Sequence, residues 1–210
     1  MDLNQILECI GRWNDLRLSK NSEAINACFE KGNSFLFETD DFVKGKDIFM
    51  HVYPGVTASG ELKFFLISSQ NDNAEQSTTA RSLDSCITVC DLSEDKYLGD
   101  QITPEDAIGR IENWKHHHTE WINNQVQTPD NIFQAFSIPS EDIINGDDLR
   151  VFLGLKPSES GYDADLIVFD SVAGNELLYN SAFFDMVKPV PPFKAVGELK
   201  ESNFYLLEAK

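Results

Sequence analysis

Two similar stretches of this sequence carry the residues best suited to bind a ligand. His51 lies in the run HVYPGV, and Arg150 lies in the matching run RVFLGL. Each stands two residues before an aromatic side chain, Tyr53 or Phe152. If the two stretches pack against each other, an imidazole and a guanidinium meet at their junction. Such a pair would bind a small anion or a carboxylate ligand.

The candidate ligand cleft consists of four residues: His51, Tyr53, Arg150 and His118. The alternative is a structural role, in which one of the two basic side chains pairs with a nearby carboxylate. Asp47 and Asp148 are the nearest acids in the sequence that could do this.

Two groups of potential metal ligands are poorly spaced for one ion. The run His116-His117-His118 falls in a predicted helix, where consecutive side chains point about 100° apart and do not converge. His118 lies on the apolar stripe of this helix, so a structural role in the core or at its boundary is the simpler interpretation. On a strand, Cys86 and Cys90 would lie about 13 Å apart, whereas on a helix they would be adjacent and could bind zinc with a histidine. We predict no metal and no cofactor.

Other catalytic patterns are weak. Asp163 and Asp165 alternate along a predicted strand, so both face one side and could act as general acid and base. The chain has no GxGxxG, no GxxxxGK[ST] and no GxSxG motif. The sequence therefore supports neither nucleotide binding nor serine hydrolase chemistry by these routes.

The elements that carry His51 and Arg150 resemble each other. Residues 48–67 and 149–169 both read as strand, turn and strand, and a Ser-Gly turn lies in each. Three shorter matches lie 97 to 99 positions apart: Ile10-Gly11-Arg12 with Ile108-Gly109-Arg110, Ile25-Asn26 with Ile122-Asn123, and Phe37 with Phe136. This nearly constant offset indicates an internal duplication. The alternative is that any two α+β segments share such a pattern.

Hydrophobic periodicity predicts the remaining elements. Helices are expected over residues 3–15, from a cap at Asn21 or Ser22 to Gly32, and from a cap at Thr103 through Ile122. Strands are expected at residues 35–37, 48–53, 62–67, 86–90, 132–138, 149–153, 166–169 and 204–207, with Pro54-Gly55 ending the second of these. Residues 68–82 are polar and should form a long surface loop.

These elements predict an α+β fold built from two tandem pseudo-repeats, about residues 3–98 and about 99–207. Each repeat supplies a helix followed by strand, hairpin and strand, and neither has enough surface to cover a sheet face alone. We therefore expect one compact domain over residues 1–210, with a mostly antiparallel or mixed sheet and helices on one face. The alternative is two small domains side by side, joined near residues 99–103.

Composition limits the class of partner. The 210 residues include 35 Asp and Glu against 17 Lys and Arg, a formal net charge of −18. This charge excludes nucleic acid and anionic membranes as natural partners, and its dispersal along the chain is typical of a solubilising surface. No signal segment or spanning run is recognisable, and four cysteines do not form a secreted disulfide framework. We expect a cytoplasmic protein.

The sequence favours a non-enzymatic accessory or interaction module that binds another protein or a peptide. The alternative function is a small-molecule-binding protein or enzyme with its site at the junction of the repeats.

Overall fold

The computed structural model describes residues 1–38, 48–74, 83–93, 105–128, 131–140, 143, 148–159, 161–170, 188–190 and 204–209. The described helices are α1 (Leu3–Leu18), α2 (Ser22–Ala27), α3 (Glu105–Gln125) and α4 (Tyr205–Glu208), with a short 3₁₀ helix at Leu83–Cys86. The described strands are β1 (Ser34–Glu38), β2 (Phe49–Val56), β3 (Leu62–Ser68), β4 (Thr88–Asp91), β5 (Ala135–Pro139), β6 (Asp148–Ser158), β7 (Gly161–Asp170) and β8 (Lys188–Val190).

Helix α1 forms where the apolar stripe predicted it. Ile6, Ile10 and Trp13 are buried on one side. Asp2 and Gln5 form a capping box at its start, which satisfies backbone N–H groups that the first turn leaves free. The helix continues to Leu18, three residues beyond the prediction.

The strands form two antiparallel sheets. The five-stranded sheet has the order β4-β3-β2-β5-β8, and the three-stranded sheet has the order β1-β6-β7. Both predicted hairpins are present, as β2-β3 and β6-β7. Each sheet also contains strands from the other half of the chain, because β5 pairs with β2 and β1 pairs with β6. An antiparallel bridge between Ser34 and Ser93 links the two sheets.

The largest part of the core lies between the sheets. Met50, Val52 and Phe64 of the five-stranded sheet and Val151 and Leu166 of the three-stranded sheet belong to one buried cluster. Burial of this apolar surface is the main favourable term in folding. The cluster also contains Phe29, just after α2, and Trp114 of α3, whose rings lie edge-on with centroids 5.2 Å apart.

The helices cover the outer faces of both sheets. Ile6, Cys9 and Ile10 of α1 pack with Tyr53 and Phe65 on the five-stranded sheet. Ala107 and Ile111 of α3 pack with Phe152 and Ile167 on the three-stranded sheet. The prediction of an α+β fold with antiparallel pairing is confirmed, but the helices lie on two outer faces, since there are two sheets to cover.

Several predicted boundaries are wrong, among them those at Pro54, at Cys86 and at residues 204–207. Strand β2 continues through Pro54-Gly55 to Val56. This is possible because β5 covers β2 only as far as Val52, so the proline interrupts no pairing on that side. Cys86 ends the 3₁₀ helix instead of starting a strand. The predicted last strand at 204–207 is largely the short helix α4.

The expected cap at Thr103 lies outside the described residues, as does much of the 68–82 loop. Among the described helices, none is long and apolar enough to cross a membrane.

Candidate functional site

Three chemically active side chains meet on the outer face of the five-stranded sheet. His51 and Tyr53 alternate along β2 and therefore point to the same side. The third is Asp72, from the turn after β3, whose backbone N–H donates to the Ser68 carbonyl over 3.0 Å. Asp72 Oδ2 lies 2.6 Å from His51 Nδ1 and also accepts the Tyr53 hydroxyl. We call these three residues the Asp72 cluster.

The Asp72 cluster is closed to solvent. His51 and Tyr53 are 0% exposed, and Asp72 is 1% exposed. Phe204 stacks on the His51 ring with centroids 4.1 Å apart and lies edge-on to Tyr53 at 5.7 Å. The backbone N–H of Leu206 donates to Asp72 Oδ1 over 3.2 Å. Residues 204–209, which we call the α4 segment, therefore cover the cluster directly.

Hydrogen bonds compensate for the burial of the Asp72 carboxyl. The Tyr53 hydroxyl and the Leu206 N–H donate to this carboxyl, and His51 Nδ1 lies within hydrogen-bond distance of it. Burial, followed by the charge of Asp72, raises the pKa of Tyr53 well above its usual value, which keeps the phenol neutral. His51 Nε2 is buried with no hydrogen-bond partner.

This arrangement resembles the base and orienting acid of a catalytic dyad in its contacts, but not in its surroundings. A general base has to come within hydrogen-bond reach of a substrate proton. Here the aromatic ring of Phe204 covers the imidazole face. The geometry instead suits a structural role, in which Asp72 holds the α4 segment against β2.

The other two predicted cleft residues lie elsewhere. Arg150 is on β6 of the three-stranded sheet, where its Nη1 donates to Ser93 Oγ over 3.4 Å. His118 is on α3, stacked on Trp114 with Nδ1 lying 2.9 Å from the Trp114 carbonyl oxygen. The structure thus brings His51 and Tyr53 together and leaves Arg150 and His118 at separate positions.

A groove does lie between elements of the two halves of the chain. It has a volume of about 690 Å³ between α2 and α3, and its lining includes Glu23, Asn26, Glu30 and His118. Asn26 Nδ2 donates to Asn123 Oδ1 over 3.2 Å beside it. His118 is the one residue of the predicted cleft in this lining.

The remaining sequence candidates have separate environments. His116 Nε2 lies 3.4 Å from Glu112, and the His117 ring stacks on Tyr162. Asp165 is buried and pairs with Arg110 over 2.8 Å, whereas Asp163 is exposed. Within the described ranges, no three acidic, histidine or cysteine side chains are grouped to hold a metal ion.

Sequence reasoning missed Asp72 and the α4 segment. Asp72 lies in a polar stretch that is typical of a surface loop. The hypothesis that His51 pairs with a carboxylate has the right chemistry, but the acid is Asp72, 21 positions further along the chain. The signal available for Phe204 and Leu206 was their apolar character, which does not indicate the surface they cover.

The fold and the cluster define an α+β protein with two antiparallel sheets and a closed His-Asp-Tyr network. No protein-family model, curated protein or solved structure matches this chain.

Proposed function

We propose that this protein is a non-enzymatic interaction module that binds another protein or a peptide. The observation that carries the proposal is the closure of the Asp72 cluster. Its histidine, aspartate and tyrosine contact one another, and each is at most 1% exposed. Their hydrogen bonds hold one part of the chain to another, which supports a structural use.

The alternative is a small-molecule-binding protein or enzyme with a site between the halves. The groove between α2 and α3 favours this alternative, because His118 lines it. The separate positions of His51 and Arg150, on different sheets, speak against the full four-residue cleft. A ligand in this groove would contact His118 without the other three.

A duplicated chain is part of the same proposal. The strand that precedes each hairpin in the chain pairs with the hairpin of the other half, which supports a duplication. Strand β1 joins the β6-β7 hairpin, and β5 joins the β2-β3 hairpin. Phe35 lies opposite Val151 and Phe136 lies opposite Val52. Since Val52 and Val151 occupy matching positions of the two hairpins, this register makes Phe35 the counterpart of Phe136. The sequence comparison pairs Phe136 with Phe37 instead, two residues away.

Two further contacts support the duplication. Asn26 and Asn123, which match in sequence, hydrogen-bond to each other as residues beside a twofold axis do. Gly55 lies against Cys9 of α1 and Gly154 lies against Arg110 of α3, so each hairpin meets its helix at a matching glycine. If the halves share a scaffold, their differences are where function should reside. The clearest difference is that His51 contacts Asp72, whereas Arg150 at the matching position donates to Ser93.

The proposed compartment is the cytoplasm. All four cysteines are free, and Cys9, Cys28 and Cys90 are buried. A reducing compartment keeps such thiols as small apolar side chains.

The test is recovery of a partner followed by measurement with purified components. The full chain is used as bait in extract of its source cells, and any partner is then purified and titrated by calorimetry. We expect saturable binding that persists at about 0.5 M NaCl, where attraction to the acidic surface is largely screened. Binding that disappears at this salt concentration would mean charge attraction only and would contradict the proposal.

The alternative function has its own measurement. A metabolite that raises the melting temperature of the wild-type chain but not of His118→Ala would place a ligand in the groove between α2 and α3. That result would support the small-molecule function instead.

A further inference from the structure

The outer face of the five-stranded sheet holds a short peptide of the chain itself. The α4 segment lies there beside α1, and Leu206 is 1% exposed within the cluster that α1 and the sheet form. Tyr53, Phe65 and Ile67 of β2 and β3 belong to the same cluster. The face is therefore shaped to accept an apolar segment.

Two side chains and one backbone group make the directed contacts. Phe204 stacks on His51 and meets Tyr53 edge-on, which is a preferred geometry for aromatic pairs. Leu206 buries its side chain and donates its N–H to Asp72. Two side-chain contacts and one backbone hydrogen bond together can fix the position of a short peptide. The residues recognised by this face are a phenylalanine and, two positions later, a leucine.

The α4 segment depends on this face for its conformation. Helix α4 has only four residues, and no side chain caps its start at Phe204. A helix this short is not stable by itself in water, because nucleation is costly and few bonds follow it. Its position is therefore set by the contacts of Phe204, Leu206 and their neighbours, and a segment with the same contacts can compete for them.

We propose that this face is a binding site for a Phe-x-Leu segment of a partner protein, and that the α4 segment is its internal competitor. The inference rests on the proposed interaction function and identifies the surface and the partner chemistry. In the closed state the chain occupies its own site. A partner binds when its segment displaces Phe204 and Leu206, and Asp72 then accepts the partner's backbone N–H.

Among the residues that the structure describes, the matching surface of the three-stranded sheet carries different side chains. Phe152 and Ile167 stand there in place of Tyr53 and Phe65, and α3 covers them with Ala107 and Ile111. Arg150 stands in place of His51, and its Nη1 donates to Ser93 Oγ. Within the described ranges, the combination of Phe204 stacked on His51 and Leu206 N–H donated to Asp72 is therefore found on the five-stranded sheet.

The experiment uses the full chain and a fluorescein-labelled peptide with the sequence of residues 204–209, FYLLEA. Anisotropy titrations compare the wild-type chain with the Phe204→Ala/Leu206→Ala double variant. We expect the variant to bind the peptide at least about tenfold more tightly, since its internal competitor has lost its anchors. A peptide with alanine at both anchor positions should not bind either protein.

Two controls separate recognition from general destabilisation. The Tyr205→Ala/Leu207→Ala variant changes neighbouring residues that are partly buried, as Phe204 is, but that do not make the ring contact with His51 or the hydrogen bond to Asp72. It should alter the peptide Kd by less than about threefold. Adding Asp72→Ala to the Phe204→Ala/Leu206→Ala variant removes the acceptor of the peptide's backbone N–H and should abolish peptide binding. Equal affinity of the wild-type and double-variant chains, or binding insensitive to the peptide's anchor residues, would overturn the inference.

A second measurement does not require any variant to fold. Hydrogen exchange of the Leu206 amide in the wild-type chain should become faster when excess unlabelled peptide is added, because displacement frees this N–H. Unchanged exchange at saturating peptide would also overturn the inference. If the peptide fails while a purified partner still binds the chain, the interaction function stands and its surface lies elsewhere.

Discussion

Asp72 connects parts of the chain that are far apart in sequence. Its carboxyl contacts His51 and Tyr53 of β2 and the backbone of Leu206. A buried carboxylate is costly unless its hydrogen bonds are satisfied. Removing one donor therefore affects the acid as well as the group removed, and the three contacts should behave as one unit.

The high pKa of Tyr53 makes stability depend on alkaline pH. Its folded pKa is raised above the usual 10.0 by burial and by Asp72, so the stabilisation is fully present below pH 10 and is lost as pH rises toward the folded pKa. Relative to pH 9, the wild-type chain should lose about 1.4 kcal/mol more than Tyr53→Phe at pH 11. Urea unfolding at both pH values measures this.

The comparison with Tyr53→Phe is necessary because other groups titrate in the same range. Burial raises the pKa of Cys28 to about 11 and that of Cys90 to about 12, and both contribute equally to the two proteins. Equal losses in the wild-type and variant chains would show that Tyr53 ionises as easily in the folded state as in the unfolded state.

Helix α1 contacts the β2-β3 hairpin at Gly55, and α3 contacts the β6-β7 hairpin at Gly154. The space around the two glycines differs. A Cβ added at Gly55 would lie 2.6 Å from the Phe65 ring and 2.9 Å from the Cys9 backbone carbon. One added at Gly154 would lie 3.3 Å from Arg110 Cβ. The first contact forces the helix or the ring to move, whereas the second needs only a small adjustment.

We therefore predict an unequal pair of substitutions. Gly55→Ala should lower the free energy of unfolding by about 2 to 3 kcal/mol through overpacking. Gly154→Ala should change it by less than about 1 kcal/mol, because reduced entropy of the unfolded chain offsets the strain. Denaturant titrations of both variants give the comparison, and a larger loss for Gly154→Ala would contradict it.

The net charge of −18 acts on the folded protein as a whole. Like charges repel more strongly in the compact state than in the expanded chain, which lowers stability at low ionic strength. Surface ion pairs such as Lys31 with Glu61 contribute in the opposite direction, but exposed pairs are worth little. Repulsion should therefore dominate the response to salt.

Raising NaCl from about 0.01 M to about 0.5 M should increase the free energy of unfolding by at least about 1 kcal/mol, because the Debye length shortens about sevenfold. Neutralising two exposed acids in the Asp15→Asn/Glu159→Gln variant should raise stability at low salt and reduce this dependence. A fall in stability with added salt would mean that attractive pairs outweigh the repulsion.

The sequence alone determined the elements whose patterns are local. The apolar stripe of α1, the capping signal at Asn21 and the β2-β3 and β6-β7 hairpins could all be predicted, because the chain repeats every 3.6 residues in a helix and every two in a strand. These patterns were enough for the α+β class. Boundaries failed where a neighbouring strand decided the outcome, as at Pro54.

Tertiary structure alone decided how the strands are shared between two sheets and what the Asp72 cluster does. The pairing of β1 with β6 joins residues more than one hundred positions apart, and no local pattern encodes such a choice. Phe204 and Leu206 are compatible with a strand or a helix until a surface is available to bury them. Asp72 is a polar loop residue in the sequence. It becomes a buried acceptor only because hydrogen-bond contacts with His51, Tyr53 and Leu206 offset its lost hydration.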